Sequence, residues 1–160
     1  MEFLEINEYI NKYPEEYDLL KQIYKKTGNS YNYSLWWEDF LDNNRFICSN
    51  WKSYIISTEK REYIQIDSIY TKEKFRHMWF AKDLIANYPS NNKFLLFDTY
   101  NNLLINILEK LGAFHTNIYW NLKWRKQFIY LRNIKNLRDS DYIVYCKKKY
   151  NVLLLIHCII

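Results

Sequence analysis

The chain has 160 residues, a net charge of +5 and 49% hydrophobic residues. That is the size of one ordinary domain with a sizeable core, and it excludes a disordered chain. Two Gly and two Pro exclude collagen-like or linker-rich architecture, and no apolar run reaches the roughly 18 residues of a membrane span.

Pro14 to Lys26 reads as a helix. Pro14 lies near its first turn, Glu15, Glu16 and Asp18 follow, Lys25 and Lys26 close the last turn, and Gly28 stops it. Tyr17, Leu20, Ile23 and Tyr24 form its apolar stripe. Ser34 is placed to cap a second helix, Leu35 to Leu41. Phe46 to Ser49, Tyr54 to Ser57, and the run marked by Tyr63, Ile64, Ile66 and Ile69 read as three strands of a meander. Lys74 to Asn87 has helical period, with Phe75, Met78, Trp79, Ile85 and Ala86 toward one side. Tyr88 to Asn91 is a turn. Phe94 to Phe97 is continuously apolar, as in a strand covered on both faces. Asn101 to Leu111 reads as a helix with Leu104, Ile107, Leu108 and Leu111 buried, and Gly112 fits its left-handed C′ position. Strands are expected at Asn117 to Trp124 and Tyr142 to Lys147.

This order implies an α/β (α+β) domain with a mixed, mostly antiparallel central sheet flanked by helices. A helix between the strands near 66 and 94 allows a right-handed parallel crossover. With no repeat or linker visible, residues 1–160 read as one domain. Residues 1–62 hold the N-terminal helices and first strands, 115–150 the terminal strands, and 151–160 an apolar tail. That tail, too short to span a bilayer, adds an edge strand or makes an oligomer contact such as a homodimer.

Charge and composition add further constraints. Residues 1–43 carry four Lys and nine acids, so the remainder is strongly basic. The stretch from Lys123 to Lys149 interleaves Lys and Arg with aromatics, the composition of a nucleic-acid surface, without a recognised nucleic-acid motif. Otherwise it is a solvated face in a Lys-biased proteome. Abundant Asn, Ile, Lys, Tyr and Phe follow AT-rich codons, as in a low-GC bacterium or one of its phages. The six Trp do not follow that bias. Cys48, Cys146 and Cys158 are odd in number and far apart, which suggests free thiols in a reducing compartment, and the N-terminus lacks a signal-peptide pattern; a cytoplasmic protein is expected. His77, His115 and His157 show no metal-ligand spacing.

Two stretches carry a family resemblance. In the first, Ile66 to Ile85, a strand leads to a helix through Arg76-His77-Met78-Trp79-Phe80-Ala81. In the second, Phe94 to Phe114, a strand is followed by Asn101 or Asn102, a helix, and Glu109-Lys110-Leu111-Gly112-Ala113-Phe114. The sequence here resembles the GNAT family, N-acetyltransferases that use acetyl coenzyme A. Their R/Q-x-x-G-x-G/A turn aligns Arg76 and Ala81 with its first and last positions. The resemblance makes residues 63–114 the coenzyme-binding core, with Asp141 to Lys148 similar to the last family strand. A helix N-terminus offers unpaired N–H groups to the pyrophosphate. The first motif glycine lets the backbone approach the phosphates, and here that position is Trp79, which either fills the phosphate position or packs under the helix. The family's proton-donating Tyr is Leu108 here, and Leu has no proton to give.

The resemblance implies an acetyl-CoA-dependent N-acetyltransferase acting on an amine of a small molecule or a protein. Thr71, Arg76, His77, Trp79 and Ala81 would line the pyrophosphate, and Asn101 or Asn102 would contact the coenzyme arm. Asp67 would be the base, and Tyr119 or Tyr100 the acid; Asp98 is a second acidic candidate. The acidic N-terminal third would favour a cationic acceptor. The alternative is a catalytically degenerate GNAT-shaped binding or inhibitor protein, for example a phage-encoded antagonist of a host defence protein or ribonucleoprotein. Trp79, Leu108 and the aromatic excess favour that alternative.

Overall fold

In a computed structural model, the residues described are 1–27, 41, 44–61, 63–91, 93–115 and 126–131. Among them are seven strands, β1 (Glu2–Glu5), β2 (Arg45–Ser49), β3 (Ser53–Glu59), β4 (Tyr63–Thr71), β5 (Phe94–Thr99), β6 (Phe114–His115) and β7 (Lys126–Tyr130). Four α-helices accompany them, α1 (Ile6–Lys12), α2 (Tyr17–Thr27), α3 (Phe80–Ala86) and α4 (Asn102–Lys110). The sheet order is β1-β2-β3-β4-β5-β7-β6. This is the mixed α+β, mostly antiparallel architecture that the element order implied. The chain divides into two compact units, residues 1–59 with 65–89, and residues 60–64 with 90–160.

In the first unit, β1 and β2 pair antiparallel with Phe3 opposite Cys48, and β2 and β3 pair antiparallel with Ile47 opposite Ile56. Alternation along β3 divides its side chains between two layers. Tyr54 and Ile56 join Ile6, Tyr9, Leu20, Ile23, Tyr24 and Ile47 in a core with α1 and α2. Helix α3 also packs on β3, burying Ala81, Leu84 and Ile85. The hydroxyls of Ser57 and Tyr88 are hydrogen-bonded within this unit. Burial keeps the Tyr88 phenol protonated well above its ordinary range. The helix expected from Pro14 begins as a 3-10 turn, Pro14–Glu16, and becomes α-helical at Tyr17. Strand β1 and helix α1 were not anticipated. Their four and seven residues are too few for a period to stand out, and β1 is held by a distant partner, Phe3 stacking on Phe46 at 5.3 Å.

In the second unit, β5 and β7 pair antiparallel with Phe97 opposite Phe128, and β6 joins β7 with Phe114 opposite Ile129. Phe94 to Phe97 are all buried, as the continuous apolar run implied. Helix α4 packs on β7 and ends at Gly112, whose φ of 77° is the left-handed value expected there. Its buried face differs from expectation. Ile105 and Leu108 are buried, while Leu104, Ile107 and Leu111 are half-buried. Leu103, Leu104, Ile105, Ile107 and Leu108 spread apolar groups over more than half of the helix circumference, so period alone does not choose the face; the docked strand does. Strand β7 lies in a segment read only as basic and aromatic.

The helix expected over Lys74 to Asn87 is shorter. Only Glu73–Phe75, as a 3-10 turn, and Phe80–Ala86 are helical. His77 interrupts them with a left-handed φ of 63°, a conformation that ends a right-handed helix. The strands expected at 117–124 and 142–147, the apolar tail, Cys146 and Cys158 lie outside the described residues. So does the helix from Leu35, apart from helical Leu41. Among the described residues no helix is long and apolar enough to cross a membrane.

Candidate functional site

The joint between β4 and α3 is built from two chain segments of the first unit. At the end of β4 the Thr71 hydroxyl is 2.8 Å from that of Ser53, and Lys72 N–H donates to the Lys52 carbonyl at 2.9 Å. This ties the turn to the β2–β3 hairpin. The hairpin is held by Asn50, whose Oδ1 accepts from the N–H groups of Lys52 at 3.1 Å and Ser53 at 2.7 Å. Trp51 takes a left-handed φ of 66° at its tip. Asn50 Nδ2 also donates to the Phe80 carbonyl, at 3.3 Å, on the first residue of α3.

The turn closes through Phe75 N–H to Lys72 O at 2.8 Å and Arg76 N–H to Glu73 O at 3.1 Å. Arg76 Nε donates to Thr71 O at 3.3 Å, so the guanidinium lies back over the strand end while the residue stays exposed. No side chain caps α3, and its N-cap residue, Trp79, has φ −72° and ψ −1°. That backbone is open to any L-residue and needs no glycine. Trp79 is 65% exposed and Met78 54%, so Trp79 does not pack under the helix. Ala81 is buried and His77 exposed.

Cations collect here. Lys52 Nζ lies 4.1 Å from the Phe80 ring centroid and 5.6 Å from that of Phe75. Lys74 is 5.0 Å from the Phe75 ring and Lys82 4.9 Å from the Trp79 ring. Among the described residues, Lys52, Lys74, Arg76 and Lys82 make no ion pair with a carboxylate. Sequence reading passed over Lys52. Its one local signal is its place after Asn50-Trp51 between two strands, and nothing local says that this hairpin meets residues 75 and 80.

Lys72 is engaged differently. Its ammonium is 4.0 Å from Glu16 Oε1, while Glu16 Oε2 accepts from the Tyr54 hydroxyl at 3.1 Å. Burial first, and then the Glu16 charge, raise the Tyr54 pKa far above the usual phenol range. Burial likewise pushes Tyr9 up to about 12, and the Cys48 thiol up to about 12, so neither ionises at neutral pH.

The remaining expected site residues are spread over both units. In the first, Asp67 Oδ2 accepts from Arg45 Nη1 at 2.7 Å and from Thr58 Oγ1 at 2.6 Å. In the second, Asn101 Oδ1 accepts from the N–H groups of Leu103 at 2.9 Å and Leu104 at 3.3 Å, capping α4. Asn102 is exposed on the first turn, Tyr100 is 62% exposed, and Leu108 is fully buried. Tyr119 lies outside the described residues. No group of three His, Cys, Asp or Glu among the described residues is placed to hold a metal ion.

No family model matches the sequence, and no curated protein matches it. A solved structure of a Bacteroides thetaiotaomicron protein, assigned by name to the GNAT family of acetyltransferases, aligns over 95% of this chain and 99% of its own. The TM-score is 0.61 at 12% sequence identity. The chain has the GNAT fold. On that fold, the stretch from Ile66 to Ile85 covers the end of β4, the basic turn and α3. The stretch from Phe94 to Phe114 covers β5, α4 and the start of β6.

Proposed function

We propose that the chain is an N-acetyltransferase that takes acetyl coenzyme A as donor and an amine as acceptor. The observation that carries this reading is the β4–turn–α3 joint on a GNAT fold, where four cations without carboxylate partners among the described residues lie at an uncapped, exposed turn. That donor set fits a diphosphate, because such an anion needs N–H donors and positive charge together. Trp79 does not oppose the fit through its backbone, which is right-handed, while its side chain, 65% exposed and not packed under α3, stands at the turn itself. Arg76 and the backbone of 77–81 would hold the diphosphate, with Thr71 at the strand end. Asn101 has its carbonyl oxygen engaged as a cap, so Asn102 is the freer of the two to meet the coenzyme arm.

Bound acetyl coenzyme A supplies an acyl thioester at this site. The chain's residues would then orient the acceptor amine and take its proton. Asp67 is the proposed base, acting against the competition of two donors already on its Oδ2. Tyr100 is the proposed proton donor among the described residues, since buried Leu108 has none to give; Tyr119 is the second candidate. The acids of residues 1–43 support a cationic acceptor such as a polyamine or a lysine-bearing protein.

The test is calorimetric titration with acetyl coenzyme A, followed by thiol release in the presence of polyamines and lysine peptides. Micromolar binding with amine-dependent thiol release is the expected result. Binding without release would reduce the reading to a coenzyme-binding protein, and absence of binding would overturn it. The exposed Met78–Trp79 pair favours a second reading, a binding or inhibitor module whose partner docks at the turn. That reading gains if coenzyme binds Trp79→Gly and not the unmodified chain.

A further inference from the structure

The following rests on the coenzyme reading above and concerns the position where the chain departs most from the GNAT motif. Trp79 is the most exposed of the large aromatic side chains described. Its ring contact among the described residues is the Lys82 ammonium, 4.9 Å from the centroid. An ammonium over an indole is held by the ring quadrupole and occupies one face. The residue is 65% exposed, so much of the indole meets solvent.

The surroundings indicate what that exposed surface is suited to meet. Lys52, from the hairpin, and Lys74 lie against the Phe75 and Phe80 rings, with Arg76 between them in sequence. Among the described residues no carboxylate pairs with any of these cations. The cores of protein interfaces are depleted in Lys, so an indole with an ammonium on its ring favours an anionic ligand over an apolar protein pocket. An open aromatic face beside unneutralised ammonium groups is suited to a phosphorylated base, which needs a stacking surface and a counter-charge. We propose that Trp79 and Lys82 form a subsite for the 3′-phosphoadenosine end of coenzyme A. The adenine stacks on the open indole face and the 3′-phosphate pairs with Lys82. The residue that replaces the motif glycine is then a recognition element and not an obstruction.

The test uses the full chain and three probes, coenzyme A, dephospho-coenzyme A and adenosine 3′,5′-bisphosphate, titrated calorimetrically into the unmodified protein, Trp79→Ala and Lys82→Ala. The unmodified chain is expected to prefer coenzyme A over its dephospho form by about ten-fold. Lys82→Ala should abolish that preference and leave dephospho-coenzyme affinity in place. Trp79→Ala should weaken all three probes by about ten-fold, the effect of losing one base stack. Both positions are surface sites, and circular dichroism confirms that each variant is folded. Coenzyme binding that is unchanged or tighter in Trp79→Ala overturns the subsite and leaves the coenzyme reading standing. No binding of any probe to any form overturns both. Adenosine bisphosphate binding that single-stranded RNA displaces, without any coenzyme binding, overturns the coenzyme assignment in favour of a nucleic acid.

Discussion

The chain passes from strand to helix at two joints that solve the same geometric problem differently. After β5, Asn101 accepts two N–H groups of the first turn of α4, and Asn101 N–H itself donates to Thr99 Oγ1 at 3.0 Å. The helix closes with Gly112 N–H on Glu109 O and Ala113 N–H on Leu108 O. After β4, the chain passes through left-handed His77 into a helix that no described side chain caps, amid cations that no carboxylate neutralises among the described residues. A helix start satisfied by its own side chain has little left for a ligand. A start left uncapped among cations keeps its donors and its charge available to an anion. The β5 joint therefore reads as structural, and the β4 joint is the one to which the proposed function assigns the ligand.

The comparison can be broken by substitution. The largest effect is expected at Leu108, where Leu108→Ala empties a fully buried position and should cost about 2–5 kcal/mol in denaturant unfolding. A small loss would mean that α4 is anchored elsewhere. Next comes Gly112→Ala. Nothing lies within 4 Å of an added Cβ, so only the left-handed backbone resists it, at about 1–2 kcal/mol. Asn101→Ala should lower stability by about 1 kcal/mol through loss of the cap. Trp79→Ala at the other joint should stay within about 0.5 kcal/mol, and the reverse ranking would erase the distinction. The smallest effect is a pH dependence at His115, whose pKa is lowered by burial and then by Lys126. The unfolded chain takes that proton first, so the contribution is present above the ordinary His value and is lost as pH falls through it. Thermal melting between pH 8 and pH 5 should slope downward, and His115→Phe should flatten the slope.

What the sequence disclosed depended on how local each determinant was. Gly112 and the buried run Phe94 to Phe97 were legible because each acts within a few residues of itself; the Asn101 cap is just as local, but Asn101 was read as a contact for the coenzyme arm. The β4–turn–α3 joint was read as helical from Lys74 onward, while the break is a left-handed backbone conformation at His77 that the apolar period does not reveal. Strand β7 was hidden because its apolar core, Phe128 to Tyr130, sits in a basic stretch and is ordered by β5 and β6. Lys52, and the pairing of Glu16, escaped notice for the same reason. Their partners, Phe80 for one and Tyr54 and Lys72 for the other, are distant in sequence. Pairing over such separations leaves no periodic trace.

Asn50 has a kinetic consequence. One carboxamide accepts two hairpin N–H groups through its oxygen and donates through its nitrogen to the first carbonyl of α3. The hairpin tip and the helix start cannot separate without abandoning that side chain. Under native-state hydrogen exchange, the amides of Lys52 and Ser53 should open together with the first turn of α3, as one cooperative foldon.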